Sequence, residues 1–177
     1  NTGLIDDEAY YWLFSQNLDW GYFDHPPMTA LFIKIGYALF HNELGVRLMM
    51  VAASTAAIIL MEKTIKPKNS LLFYGIVLNL CVLNFAGFIA VPDIPLLFFV
   101  TLYFYTFRKF LDNTTLLNSI VLGITMALML YAKYHGILII LFSVLSIPRL
   151  FTKKYLYIAA LTGIVLFVPH LVWQYNH

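Results

Sequence analysis

The stretch YLYIAALTGIVLFVPHLVW, residues 155–173, contains no Asp, Glu, Lys or Arg. Such a run is long enough to cross a bilayer as a helix, which takes about 20 apolar residues. The whole chain of 177 residues has the same character, because 61% of its residues are hydrophobic and 11% are charged. Soluble domains carry about 25% charged residues, which form the shell that this composition lacks. The sequence therefore predicts an all-α integral membrane protein and excludes a soluble enzyme, a nucleic-acid binder and a disordered tail.

Further apolar runs predict five more membrane-crossing helices, separated by short segments that contain turn or capping residues. These runs cover residues 46–61, 71–91, 94–107, 116–132 and 136–147. A weaker run at 28–40, interrupted by Lys34, predicts a helix that lies in the membrane interface. The single cysteine, Cys81, leaves no disulfide framework and no Cys-based metal site.

The charged residues predict the orientation of these helices. Eight of the eleven Lys and Arg residues lie in alternate loops, which the positive-inside rule assigns to the cytoplasm. They are Lys63, Lys66, Lys68, Arg108, Lys109, Arg149, Lys153 and Lys154. Seven of the nine acids and all five histidines lie in the intervening segments, which we therefore expect on the external face.

We predict two regions, an external segment of residues 1–45 and a six-helix transmembrane bundle of residues 46–177. In the external segment, Asp6 is placed to cap a helix whose apolar residues recur at helical spacing. The chain begins at Asn1 without a Met or a targeting segment. We expect a fragment of a larger protein, with a first helix and a C-terminal part missing.

The predicted topology brings polar elements from distant parts of the chain to the external surface. These elements are Asp6-Asp7-Glu8 with Tyr10, Gly21-Tyr22-Phe23-Asp24-His25-Pro26-Pro27, Pro92-Asp93, Lys133-Tyr134-His135 and Pro169-His170. Together they supply carboxylates, a lysine and imidazoles. The sequence therefore predicts one polar site built above a hydrophobic helical bundle.

Several of these motifs follow one another in the order found in a known family of membrane enzymes. They are Asp7-Glu8-Ala9-Tyr10-Tyr11, the Gly21–Pro27 run, Arg47-Leu48 and Pro92-Asp93-Ile94-Pro95-Leu96. Over nearly its whole length the chain resembles the polyprenol-phosphate-sugar-dependent GT-C glycosyltransferases, most of all the ArnT-like and dolichyl-phosphate-mannose-protein mannosyltransferase-like members. The resemblance implies a GT-C helical bundle with interfacial helices in its first external loop.

The resemblance also implies a reaction, a set of partners and a location. The reaction is transfer of a sugar from a polyprenyl-phosphate donor to a hydroxyl of a glycan, lipid or protein acceptor, with inversion at the anomeric carbon. We expect the protein among membrane lipids, in a bacterial inner membrane, with its active face periplasmic or extracellular. No nucleic acid is expected as a partner.

The resemblance assigns the catalytic residues. It implies that Asp7 is the catalytic base, with Glu8 beside it, and that Asp93 is a second catalytic acid. Some members of the family bind a divalent metal ion, for which Asp7, Asp24, Asp93 and His25 are candidate ligands. No spacing in this sequence is diagnostic of a metal site.

The donor phosphate needs cations and hydrogen-bond donors. By the resemblance, Asp24 and His25 lie where the family has an acidic and a basic residue near that phosphate, and Arg47 and Lys133 are further candidates. The predicted substrate-binding residues are Asp24, His25, Arg47, Lys133, His135 and Tyr10.

Plainer interpretations of the same residues remain open. Asp93 is also suited to cap a helix, and Arg47 to pair with Glu43 four residues before it. Lys133 is also suited to extend toward the interface, and His170 to satisfy carbonyls freed by the neighbouring proline. Two other functions also remain open, a transporter or flippase of lipid-linked sugars and a non-catalytic membrane scaffold.

Overall fold

The computed structural model describes residues 3–80 and 87–177. Within these ranges the chain forms helices and a 3-10 turn, with no β-strand. The helices are α1 (Asp6–Gln16), α2 (Met28–Leu39), α3 (Glu43–Ile65), α4 (Ser70–Leu78), α5 (Asp93–Asp112), α6 (Leu116–Ala132), α7 (Gly136–Leu145) and α8 (Lys154–Asn176). The 3-10 turn, Pro148–Thr152, lies between α7 and α8. The predicted all-α fold is confirmed.

Three of the described helices, α3, α5 and α8, are long and apolar enough to cross a membrane. Three others, α2, α6 and α7, are apolar but shorter. The all-α membrane bundle is therefore confirmed as a class. The six crossing segments and the boundary at residue 45 remain predictions.

Short polar side chains cap the N-termini of several helices. Asn42, Asn69 and Thr115 each precede a helix and accept a hydrogen bond from the backbone N–H three residues later, at 3.2, 3.0 and 3.2 Å respectively. The first backbone N–H groups of a helix have no partner within the helix, so these contacts fix where α3, α4 and α6 begin.

Asp6, which was expected to cap a helix, and Asp93, for which capping was one of two alternatives, both lie inside their helices, so the capping interpretation is wrong for both. Asp6 and Asp93 are the first helical residues of α1 and α5, and Ile5 and Pro92 hold the cap positions. In the first turn an acidic side chain still gains from the positive end of the helix dipole. Both residues are exposed, and neither carboxylate accepts a hydrogen bond from a backbone N–H group of the described residues.

The apolar run 71–91 was expected to form one membrane-crossing helix, and the structure corrects this. Helix α4 ends at Leu78, and the Asn79 side chain donates to the carbonyl of Gly75 at 2.6 Å. A side-chain amide that bonds a carbonyl of its own helix competes with the next backbone turn. Residues 87–92 are turns and bends, and Cys81 lies outside the described residues.

Close backbone contacts hold the bundle together. Helix α2 packs on α3 where Gly36 and Gly45 meet, and a Cβ at either position would overlap the facing backbone. Helix α8 packs along α6, where Gly123 lies against the carbonyl of Ala159. The core of fully buried large side chains includes Ile33, Met50, Tyr103, Phe110, Leu122 and Met129. This packing brings the N-termini of α3 and α5 and the C-termini of α6 and α8 to one end.

Candidate active site at one end of the bundle

A buried ion pair anchors the start of α1. The carboxylate of Glu8 has no exposed surface and accepts hydrogen bonds from Arg47 Nε at 2.8 Å and Arg47 Nη2 at 2.5 Å. It also accepts the backbone N–H groups of Ala90 at 3.1 Å and Ile5 at 3.2 Å. Burial alone would raise the pKa of Glu8, but these hydrogen bonds outweigh it and hold the pKa below its ordinary value of 4.5.

This pair corrects one interpretation of the sequence and separates two neighbouring acids. Arg47 was considered as a partner of Glu43, four residues away, whereas its ion-pair partner is Glu8 of another helix. Successive helical residues point in directions about 100° apart. Glu8 therefore points into the protein, and Asp7 is exposed at the surface.

The Gly21–Pro27 run, which lies between α1 and α2, is held by its first two residues. Gly21 lies against α8, and a Cβ there would come within 2.5 Å of the Trp173 ring. The Tyr22 hydroxyl donates to the carbonyls of Phe14 at 3.0 Å and Asn17 at 3.1 Å, at the C-terminal end of α1. The Tyr22 and Phe14 rings stack with their centroids 4.2 Å apart. The glycine and the tyrosine of the motif thus fix the segment that carries Asp24 and His25.

Asp24 and His25 form a polar cluster with two tyrosines of α1. The Asp24 carboxylate accepts a hydrogen bond from Tyr10 at 3.0 Å and contacts His25 Nδ1 at 3.0 Å. Burial raises the pKa of Asp24, but the contacts with His25 and Tyr10 together lower it overall. The Tyr11 hydroxyl lies 3.3 Å from His25 Nε2. The structure therefore brings together the predicted residues Tyr10, Asp24 and His25.

A second ion pair joins two loops that are far apart in sequence. Lys133 Nζ lies 2.7 Å from Asp93 Oδ1, which connects the end of α6 to the start of α5. The Asp93 side chain is 65% exposed and that of Lys133 is 23% exposed. An ion pair with that much solvent contact exchanges partners at low cost. Either group is thus free to meet an incoming ion.

The acids of these separate elements act on the same phenol. Burial raises the pKa of Tyr11, and the negative charges of Asp24, Asp7 and Asp93 raise it further. The pKa of Tyr134 is likewise raised by burial and by Asp24. The contacts Tyr10–Asp24, Tyr11–His25, Lys133–Asp93 and Tyr134–His170 bring several of the expected external elements to one end of the bundle.

His170 joins α8 to this region in a way that the sequence did not predict. Its Nδ1 lies 2.6 Å from the carbonyl oxygen of Trp20, and its Nε2 lies 2.9 Å from the Tyr134 hydroxyl. The carbonyl it satisfies therefore belongs to the α1–α2 segment, not to the proline-containing helix. The available signal was a histidine nearly two turns before the end of an apolar helix, a place where a polar group needs a specific partner.

His135 is not brought into the cluster. It precedes α7 and is exposed, and its ring makes no hydrogen bond or ion pair with residues 3–80 or 87–177.

The described residues also contain no candidate metal site, because no three His, Cys, Asp or Glu side chains in them lie close enough together to bind one ion. Asp24 pairs with His25, and Asp93 with Lys133. As arranged, the candidate ligands do not fit a divalent metal.

Comparison with known families fits this arrangement. The family model described as dolichyl-phosphate-mannose-protein mannosyltransferase matches residues 24–173. The chain belongs to this family. The matched part of the mannosyltransferase-family fold contains Asp24, His25, Arg47, Asp93 and Lys133 and begins after α1.

A curated relative extends the similarity over α1. The chain is 26% identical over 187 residues to the lipid A galacturonosyltransferase RgtD of Rhizobium johnstonii. That similarity covers 99% of this chain and 39% of the relative, so the chain spans about two fifths of the relative's length. No solved structure matches this member of the mannosyltransferase family.

Proposed function

We propose that the protein is an integral-membrane glycosyltransferase that uses a polyprenyl-phosphate sugar as donor. The sugar goes to a hydroxyl of a glycan, lipid or protein acceptor, with inversion at the anomeric carbon. The reaction takes place at the periplasmic or external surface of a bacterial inner membrane. One observation carries this proposal: polar contacts from separate elements lie at one end of an apolar bundle, where Tyr10 and His25 contact Asp24 and Lys133 contacts Asp93.

The chemistry of the reaction requires both signs of charge in one place. As the bond between the sugar and the phosphate breaks, positive charge develops on the sugar ring and negative charge on the phosphate. Carboxylates stabilise the first charge, as they do in glycoside hydrolysis. Cations stabilise the second. The exposed pair of Asp93 and Lys133 offers one group of each kind within 2.7 Å.

Asp7 is the best candidate for the catalytic base. It is exposed in the first turn of α1 while Glu8, the next residue, is buried and paired with Arg47. A carboxylate takes the proton of the acceptor hydroxyl late in the reaction, as the new bond forms. Glu8 and Arg47 then have a positioning role: their ion pair holds the first turn of α1 so that Asp7 faces the acceptor. Asp93 serves as the second acid beside the sugar.

The donor phosphate meets the other cations of the site. Lys133 exchanges Asp93 for a phosphate oxygen, which frees the Asp93 carboxylate for the sugar. His25 also offers its imidazole. Asp24 orients that ring through a contact of 3.0 Å, and Tyr10 in turn holds Asp24 by a hydrogen bond of 3.0 Å. His135 is exposed and outside the cluster, so it has no assigned role in this proposal. No step needs a metal ion.

Two sugars are the first donors to test. The matched family is described by mannose carried on dolichyl phosphate, and the matched relative by galacturonic acid and lipid A. Galacturonic acid carries a carboxylate, so it would need one more cation than mannose does. A transporter of lipid-linked sugars would place its polar groups near the middle of the membrane on broken helices, whereas the described cluster lies at helix ends.

The decisive test compares Asp7→Asn with Asp6→Asn in the full-length protein. Both aspartates are exposed in the first turn of α1, so the two changes remove the same charge from the same turn. Membranes receive polyprenyl-phosphate mannose or polyprenyl-phosphate galacturonic acid with a radiolabelled sugar, and label in lipid A and protein is counted. The anomeric configuration of the product is read by NMR.

We expect Asp7→Asn to lower the transfer rate by about 10²- to 10⁴-fold, the usual worth of a general base. Asp6→Asn should stay within about threefold of the wild type, as for a surface substitution. Equal rates for both variants would refute the role of Asp7. Movement of the intact donor across vesicles, with no transfer in the wild type, would favour a flippase instead.

A further inference from the structure

A cavity lies near the C-terminal ends of α3 and α5, far from the cluster of acids. Its volume is about 550 Å³. Four cations and two acids line it: Lys63, Lys66, Arg108, Lys109, Glu62 and Asp112. Along α3, Lys63 is 16 residues beyond Arg47, which is about 24 Å at 1.5 Å per residue. That distance is close to the thickness of a hydrocarbon core, so this cavity opens at the other membrane surface.

The positive charge in this cavity is only partly compensated. Glu62 accepts a hydrogen bond from Tyr74 at 3.0 Å, which directs its carboxylate toward α4. Lys63 and Lys66 are exposed, and neither forms an ion pair within 4.0 Å in the described part of the chain. Two ammonium groups thus line a concave space without a paired carboxylate.

The walls of the cavity are fixed by contacts between helices and rings. Arg108 Nη1 donates to the carbonyl of Thr64, which ties α5 to the end of α3. Lys109 Nζ lies 4.6 Å from the centre of the Tyr105 ring. Ser70, the first residue of α4, also lines the cavity, so the positive end of that helix dipole adds to the ammonium groups. The cations therefore surround a preformed space.

The tendency of cytoplasmic loops to be basic does not explain this grouping. Arg149, Lys153 and Lys154 belong to the same set of predicted cytoplasmic loops, yet they do not line the cavity. The positive-inside rule counts charges and says nothing about their convergence. Four cations around one concave space at a bilayer surface are suited to bind a phosphate.

We propose that this cavity binds the phosphate-bearing headgroup of an anionic membrane lipid. The phosphate lies between Lys63 of α3, Lys66 directly after α3 and Lys109 of α5, with the acyl chains beside the helices. The site is separate from the proposed transferase centre and stands or falls independently of it. A free phosphate ion offers the same chemistry, so the experiment must distinguish the two sources.

The test measures thermal stabilisation of the full chain in neutral detergent by dioctanoyl-phosphatidylglycerol, dioctanoyl-phosphatidylcholine or inorganic phosphate. Lys63→Gln/Lys66→Gln is compared with Lys153→Gln/Lys154→Gln. All four lysines are exposed, so each double variant loses two positive charges from the same predicted surface. The midpoint of unfolding as a function of probe concentration gives an apparent Kd for each protein.

We expect phosphatidylglycerol to stabilise the wild type, and the Lys63/Lys66 variant to bind it at least tenfold more weakly. The Lys153/Lys154 variant should remain within about twofold. If the double variant fails to fold, Lys63→Gln alone decides, with an expected weakening of about fivefold. Equal effects of both double variants, equal stabilisation by phosphatidylcholine, or equal stabilisation by inorganic phosphate at the same concentration would overturn the proposal.

Discussion

Replacing Glu8 with Gln tests the anchor on which the proposed base depends. The Glu8 carboxylate is fully buried and accepts four hydrogen bonds, two of them from Arg47. Gln keeps the size of the side chain but has no charge. Its N–H₂ group would also face N–H donors of Arg47 and the backbone, with which it cannot form hydrogen bonds. Arg47 would then lose the negative charge of Glu8 in a site where its side chain is 17% exposed.

The expected cost follows from that geometry. Removing one member of a buried ion pair costs about 3–5 kcal/mol, because the other charge stays uncompensated. The partial exposure of Arg47 screens the loss, so we expect the lower end, about 3 kcal/mol. For a soluble domain of this length each kcal/mol shifts Tm by about 2–4 °C. The unfolding midpoint should therefore fall by roughly 6–12 °C.

Fluorescence-detected size-exclusion chromatography after heating in detergent measures this shift in the full chain. Glu43→Gln is the matched control, because Glu43 is exposed on α3 and the same atoms change. We expect it to alter stability by less than about 0.5 kcal/mol. Adding Arg47→Gln to Glu8→Gln should cost less than the sum of the single changes, as for a coupled pair. A Glu8→Gln shift as small as that of Glu43→Gln would refute the buried-pair reasoning.

Other expectations follow from the same contacts. The pKa of Glu8 is lower in the folded protein than its ordinary value of 4.5. The stabilisation from ionised Glu8 is therefore complete above pH 4.5 and is lost as the pH falls through the folded-state pKa. Below about pH 4.5, the Tm of the wild type should fall more steeply than that of Glu8→Gln. Gly21→Ala should lower the free energy of unfolding by about 1–3 kcal/mol, because the new Cβ meets the Trp173 ring. Gly75→Ala should raise it by up to about 1 kcal/mol, because a Cβ there has no atom within 4 Å. Urea unfolding measures both variants, and equal effects would contradict this expectation. Lys133→Gln should raise the KM for the donor at least tenfold. It should change Tm by less than about 4 °C, because the ion pair of Lys133 with Asp93 is exposed. An unchanged KM would show that Lys133 does not bind the donor phosphate.

Apolar runs predicted much of the helical structure because lipid-facing helices leave a simple trace in the sequence. The run 116–132 coincides with α6, and the run 28–40 with α2. Where prediction failed, a single polar side chain decided the outcome. Asn79 bonds a carbonyl of its own helix, and α4 ends there although the surrounding residues are apolar. A hydropathy average over a window cannot detect one such bond.

The grouping of acids at one surface could be predicted, because alternating loops of a membrane protein emerge on the same side. The individual partners could not. Arg47 had a carboxylate four residues away in Glu43, which sequence spacing favours, yet it pairs with Glu8, which is 39 residues away. Likewise Tyr11 and Tyr134 resemble ordinary interface tyrosines, and only packing brings their hydroxyls beside histidines. Long-range pairing depends on how the helices pack, which local patterns do not encode.

The central claim is that the acids of α1 and α5 face the external solution together. Single cysteines introduced as Asp7→Cys, Asp93→Cys and Lys66→Cys, each in a Cys81→Ser background, test it with a membrane-impermeant maleimide on spheroplasts. We predict labelling at positions 7 and 93 in intact spheroplasts, and labelling at position 66 only after lysis. Labelling of positions 7 and 93 from opposite sides of the membrane, or of both only after lysis, would contradict the account.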